Sequence, residues 1–172
     1  MVFGRLRHAN LRSLIVETGG LGGEVVRAIA ASDLPRLEHL ELWLGTGSYG
    51  GTTTIADLGP IVAGDRFPAL RRLGLRNCEG TDAIAEALVD APILGRIEVL
   101  DLSMGDLGDE GARALAGIAA LRRLKSLDIH HHFVSDEALG ELLALGIAVE
   151  ADDQMEPYDW DDEGRRYIAV TE

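Results

Sequence analysis

Five stretches of this 172-residue chain carry side chains or backbone whose types and spacing could do chemistry. In LGTGSYGG, the glycines Gly45, Gly47 and Gly50 make a G-x-G-x-x-G string between a strand-like run, LEHLELW, and a helix-like one, TTTIADLGPIVAG. A dinucleotide site uses such glycines to bring backbone amides to a pyrophosphate, with an acid about twenty residues on for the ribose; Asp65 stands there. HHH, His130 to His132, has the composition of a metal tract. Asp101 and Asp128, if neighbours, would form a carboxylate pair of the kind that separates an acid from a base. DWDDEG sets Asp159, Asp161, Glu163 and Gly164 on the first half of a calcium loop. Cys78 is the one thiol.

What these residues can do depends on the elements that position them, and a repeat governs those elements. The phrase L-x-x-L-x-L occurs at Leu11, Leu37, Leu70, Ile97 and Leu124, and all fifteen pattern positions are Leu, Ile or Val. The spacings are 26, 33, 27 and 27 residues, with a weaker sixth copy in GIAVE at Ile147 and Val149. Between copies lie stretches of helical apolar spacing, such as DEGARALAGIAAL and SDEALGELLAL, the latter opened by the capping residue Ser135. One strand and one helix per unit cannot bury their own apolar edge, whereas a stack of units can.

The pattern resembles leucine-rich repeats over residues 11 to 149, and LDLSMGDLGDEGARALA is similar to the ribonuclease-inhibitor-like class. The resemblance implies an α/β fold: a right-handed solenoid, or horseshoe, with a parallel concave sheet and helices on the convex side. GGLGGEVVRAIAASDLPRLEHLELWLGTGSYGG and the closing RRYIAVTE further resemble an uncharacterised actinobacterial leucine-rich-repeat family, which brings no activity with it. Residues 1–149 are expected to form the solenoid and 150–172 an acidic C-terminal cap, with RRYIAVT adding a closing strand and Tyr158, Trp160 and Tyr167 covering the last repeat.

On this reading the glycine string falls in a strand-to-helix loop of the second repeat, lengthened by about six residues, where backbone freedom explains it. No cofactor is expected, and deletion of Gly47 to Gly50 should leave folding intact. In a strand His130 and His132 share a face and His131 opposes it, so the tract does not converge on one ion. His132 occupies a position at which related repeats tie down loop backbone, and Cys78 reads as a small packing residue. The calcium half-motif has Val170 in place of the closing Glu.

Strand alternation then puts the residues between the leucines on the outward face. The columns read Ser13, His39, Arg72, Val99, Ser126; Ile15, Glu41, Gly74, Asp101, Asp128; and Glu17, Trp43, Arg76, Ser103, His130. The expected partner-binding set is Glu41, Trp43, Tyr49, Arg72, Arg76, Asp101, Asp128 and His130. Trp43, between Glu17 and Arg76, is its anchor, expected to be replaceable with little loss of stability. Asp101 is expected to point to solvent, so that Asp101→Ala costs little beside Leu100→Ala.

Composition sets the partner class. Net charge is −13, which disfavours phosphate backbones and anionic lipid surfaces and leaves a protein as the expected partner. Aromatics are 5% of residues against 47% apolar, so the core is aliphatic. MVFGRLRHANLRS lacks the apolar core of a signal peptide, and no run is long enough to span a bilayer; a cytoplasmic location is expected. The Leu11 strand has no visible cap, so its edge is expected to continue a longer solenoid or to self-associate. A non-catalytic interaction scaffold is the expected function, with a structural or regulatory half of a larger protein as the alternative.

Overall fold

The computed structural model describes residues 4–157 and 165–170. The apolar alternation forms six strands: β1 (Ser13–Val16), β2 (His39–Gly45), β3 (Arg72–Cys78), β4 (Val99–Asp101), β5 (Ser126–Asp128) and β6 (Ala148–Glu150). They lie in one sheet in strict chain order, every pair parallel. A doubly wound nucleotide-binding sheet reverses its strand order midway, and that reversal makes its binding crevice. Here the order never reverses. Helices α1 (Gly23–Ala30), α2 (Ile55–Val62), α3 (Thr81–Ala87), α4 (Asp109–Ala116) and α5 (Asp136–Leu143) join the first five strands to their successors, and each packs on the next. None is long and apolar enough to cross a membrane.

The pattern positions carry the core. Leu37, Leu40, Leu42, Leu70, Leu73, Leu75, Ile97, Leu100, Leu102, Leu124, Leu127 and Ile129 are all buried. They meet the buried helix stripe Val26, Ile29, Leu58, Ile61, Ile84, Ala112, Leu115, Ala138 and Leu142. The first unit differs: Leu11, Leu14 and Val16 are half-buried, because β1 has a neighbour on one side only.

Adjacent units are also joined through helix starts, whose first amides lack intrahelical acceptors. Thr54 and Asp57 close a capping box on α2, and Ser135 caps α5 by accepting the Ala138 amide. Elsewhere a neighbour's acid serves. Asp82 of α3 accepts the Gly108 and Gly111 amides at α4, and Asp109 of α4 accepts the Ser135 amide at α5. Asp106 accepts the Gly80 and Thr81 amides at α3. Several of the chain's surplus acids are therefore lateral caps, placed where helix dipoles favour negative charge.

The C-terminal part departs from expectation. Glu150, assigned to the cap, ends β6, and residues 152–155 pair with His131 and His132 along the last unit. Residues 165–170 add no closing strand. They return across the C-terminal ends of β3 and β4, where the Ala169 amide donates to the Met104 carbonyl. Tyr158, Trp160 and the calcium-loop residues Asp159, Asp161, Glu163 and Gly164 lie outside the described residues.

Candidate functional site

The sheet register brings the three outward columns together as their spacing implies: Ser13, His39, Arg72, Val99 and Ser126 in one row, Ile15, Glu41, Gly74, Asp101 and Asp128 in the next. In the third row Trp43 pairs with Arg76, while Glu17 lies beyond the end of β1. Strands about 4.8 Å apart force charged neighbours into contact, and the result is a network, not a solvated row.

Asp101 is its centre and corrects the expectation that this residue points to solvent: it is 1% exposed. Its Oδ1 accepts the Ser103 hydroxyl at 2.6 Å and the Ser103 amide at 3.1 Å. Arg76 Nε lies 3.5 Å and Arg72 Nη2 3.6 Å from its carboxylate. Arg76 also donates to Glu41 Oε1 at 3.0 Å and Ser103 Oγ at 2.9 Å. Two long guanidiniums lie over two short acids, and that is why the acids are covered.

Glu41, also buried, accepts the Trp43 indole N–H at 2.9 Å and lies 3.3 Å from His39 Nε2. Burial alone would raise its pKa. Hydrogen bonds from Trp43 and Arg76, with the charges of Arg76 and His39, outweigh burial and hold the carboxyl below its ordinary value. The Arg76 guanidinium sits 5.2 Å from the Trp43 ring centroid, a cation–π contact. Trp43 is thus half-buried and tied at both its ring and its nitrogen, which argues against the expectation that it can be replaced with little loss of stability. Arg72 is the network's accessible cation, its side chain 45% exposed.

Asp128 sits beside Asp101 in register, but each acid has its own partner: Asp128 Oδ1 lies 2.8 Å from His130 Nδ1 and accepts the His130 amide at 3.0 Å. Asp101 with Ser103 and Asp128 with His130 are the same device 27 residues apart, an acid accepting the amide two residues on at a strand end. The three histidines diverge. His131 turns toward Phe133 and Tyr167. His132, fully buried, accepts the Val134 amide on Nδ1 and donates through Nε2 to the Ala151 carbonyl. Burial lowers its pKa, and the charge of His131 adds to this against the opposing effect of the Ala151 bond.

In the glycine loop the amides that would cradle a phosphate are committed. Thr46 donates to Gly19, Gly47 to the Glu79 carboxylate, Ser48 to Thr46 Oγ1, Tyr49 and Gly51 to the Thr46 carbonyl, and Gly50 to Gly47. Backbone geometry accounts for the glycines at the dock of the loop. Gly45 has φ 68° and a Cβ there would lie 1.8 Å from the Gly19 carbonyl oxygen, while Gly20 faces the Tyr49 and Gly51 backbone at 2.5 Å. The loop is docked on the β1–α1 turn, which argues against its expected dispensability. Tyr49 lies at its tip, 53% exposed and separate from the network. Beside the loop lies a cavity of about 300 Å³ lined by Leu58, Ile84, Thr53, Glu79 and Cys78. Burial, aided by Asp106 and Glu79, pushes the Cys78 thiol up to about 12.

Ser103, His39 and Asn77 were outside the expected binding set. The D-x-S spacing was a usable signal for Ser103; nothing local marked Asn77, whose side chain meets residue 170.

No family model and no curated protein matches this chain. A crystal structure of a Bacteroides fragilis protein, solved as a structural-genomics target, is similar to it at 35% identity with a TM-score of 0.83. The match covers 88% of this chain and 44% of that one, so this chain spans less than half the length of its structural relative.

Proposed function

We propose that this chain is a leucine-rich-repeat solenoid of the ribonuclease-inhibitor-like class and that it binds a protein partner through the outward face of its sheet, without catalysis. The observation that carries the reading is the braced cluster on β2 and β3. Arg72 stands exposed against the buried Asp101, and Trp43, further along the adjacent strand, is already fixed by Glu41 and Arg76. Side chains ordered before binding lose less entropy on association, and Arg and Trp are the commonest anchors of protein interfaces. The face also has polarity: Ile15, His39 and Arg72 toward β1, Asp128 and Glu150 toward β6. A partner presenting an acidic group to Arg72 fits it, and a cytoplasmic location belongs to the same reading.

A photo-crosslinking amino acid placed at Val99 or Ser126, beside Arg72 in the same row, and as control at the exposed helix residue Glu137, tests this in extracts of the source cells. One protein captured from both sheet positions and not from Glu137 is expected. Equal labelling from all three positions defeats the proposal.

A second reading has its own support. The Bacteroides fragilis protein is about twice as long, and β1 leaves the half-buried Leu11, Leu14 and Val16 beside the exposed Ile15 at the sheet edge. On this reading the chain is one half of a longer solenoid and its face binds within that protein. Concentration-dependent association by light scattering, lost in Ile15→Arg, is expected of that edge.

A further inference from the structure

The end of β3 and the loops that follow β4 and β5 place Asn77, Met104 and His131 at intervals of 27 residues, and all three have left-handed backbone, at φ 49°, 65° and 58°. Few residues other than glycine take that conformation, asparagine and histidine more readily than most. It kinks the chain out of the sheet at one level in each unit and so builds a stepped rim. Each step meets the returning C-terminal segment. Asn77 grips residue 170 at both backbone groups, its Nδ2 donating to the Val170 carbonyl at 2.7 Å and its Oδ1 accepting the Val170 amide at 2.9 Å. The Met104 carbonyl accepts the Ala169 amide at 2.9 Å. His131 and Phe133 meet the Tyr167 ring edge-on, at 5.6 and 5.1 Å between centroids. Ile168 is 4% exposed. Arg166 donates to Asp82 at 2.8 Å, the acid that also caps α4.

Taken together these contacts read a peptide. An amide side chain that satisfies one residue's N–H and C=O reproduces what a neighbouring strand would do, and it reads backbone regardless of sequence. The aromatic corner, the buried aliphatic position and the acid select a basic, an aromatic and an aliphatic residue in succession. Asp82, Asp106 and Glu79 make this end of the molecule acidic, which favours a basic ligand. On its other side the segment borders a cavity of about 340 Å³ shared with Thr46, Ser48 and Tyr49, so the groove is lined by protein on both flanks.

We infer that the rim formed by Asn77, Met104, His131 and Phe133 is a peptide-binding groove, separate from the sheet face, which takes an extended basic–aromatic–aliphatic segment of a partner protein and is occupied in its resting state by residues 166–170 of the chain itself. The partner segment displaces the tail; the tail is the competitor that sets its affinity.

The test uses the full chain and a fluorescein-labelled peptide RYIAV, read by anisotropy. Tyr167→Ser with Ile168→Asp releases the tail without touching the groove, and this variant is expected to bind the peptide at least tenfold more tightly than the parent chain. Adding Asn77→Ala to it should remove the gain, and a scrambled peptide should not bind. A folded released variant that ignores the peptide, or that binds it equally with Asn77→Ala or when scrambled, overturns the inference and leaves the tail a structural cap. If the released variant fails to fold, hydrogen exchange in the parent chain decides. The Ala169 and Val170 amides must exchange much faster than that of Leu100 and be further exposed by excess peptide. Exchange of all three only through global unfolding overturns the inference equally.

Discussion

Asp101→Ala is the sharpest test of the network on β2 and β3. The substitution removes a side chain that is 1% exposed and accepts two hydrogen bonds from Ser103, and it withdraws an acid from Arg76 and Arg72. Two buried hydrogen bonds to a charged group contribute about 1.5 to 3 kcal/mol each at most, while breaking a buried ion pair costs about 3 to 5. The losses here are smaller than either sum. Ser103 keeps its bond to Arg76, Arg76 keeps Glu41, and Arg72 is nearly half exposed, so water re-solvates its charge. About 3 kcal/mol remains, comparable to the roughly 2 to 5 kcal/mol expected for Leu100→Ala one residue earlier. For a chain of this size that lowers the melting temperature by about 6 to 12 °C. Urea melts followed by circular dichroism would show a lower midpoint at unchanged slope, with Asp101→Asn recovering part of the loss through its Ser103 contacts. An Asp101→Ala chain within about 0.5 kcal/mol of the parent would mean the acid is solvated, and the network reasoning would fail.

Two further expectations concern pH and the glycine loop. His132 is held neutral with its pKa below the ordinary 6.5, so the unfolded chain binds the proton more readily than the folded one. Its contribution to stability is full above about pH 6.5 and shrinks as pH falls through the window below; His132→Asn should flatten the melting-temperature slope between pH 7 and about pH 5, and an unchanged slope would count against it. Gly45→Ala should destabilise by more than about 2 kcal/mol, since it combines a positive φ with a carbonyl in the way, whereas Gly47→Ala, which meets nothing within 4 Å, should be neutral. Similar melts for the two would remove the backbone explanation of the glycine string.

Most of the architecture was legible because repetition multiplies a weak signal. A single L-x-x-L-x-L is a short apolar run of ambiguous structure, but five in phase fix strand positions, strand phase and neighbour order at once. The register from Ser13 through His39, Arg72 and Val99 to Ser126 is the one that the spacing implies. The helix start at Ser135 was legible for a local reason, a hydroxyl in reach of the Ala138 amide. The path of residues 165–170 was not legible. Their apolar alternation suits a strand, and nothing within the segment says that its partners are Asn77 and Met104, far back in the chain.

The candidate site shows where such reading stops. Alternation gives the side of the sheet on which a residue emerges; it does not give the burial of what emerges there. Glu41 and Asp101 emerge outward and are nevertheless buried, because Arg76 and Arg72 reach over from β3, the strand between them, and Trp43 closes on Glu41 from two residues along its own strand. The pairing is independent of the unequal repeat lengths. The enlarged second spacing does not disturb the strand register, so Trp43 still meets Arg76, while the extra residues are absorbed in the 46–51 loop above. A face built this way resists two perturbations differently. Removing Arg72 takes one partner from Asp101, which keeps Ser103 and Arg76; removing Asp101 takes both hydrogen bonds from Ser103 and an ion-pair partner from each arginine. The acids therefore hold the face in shape, and the partially exposed Arg72 is left to meet whatever binds there. The sequence lists these residues as equals along three columns, whereas their burial divides them into those that build the surface and those that form it.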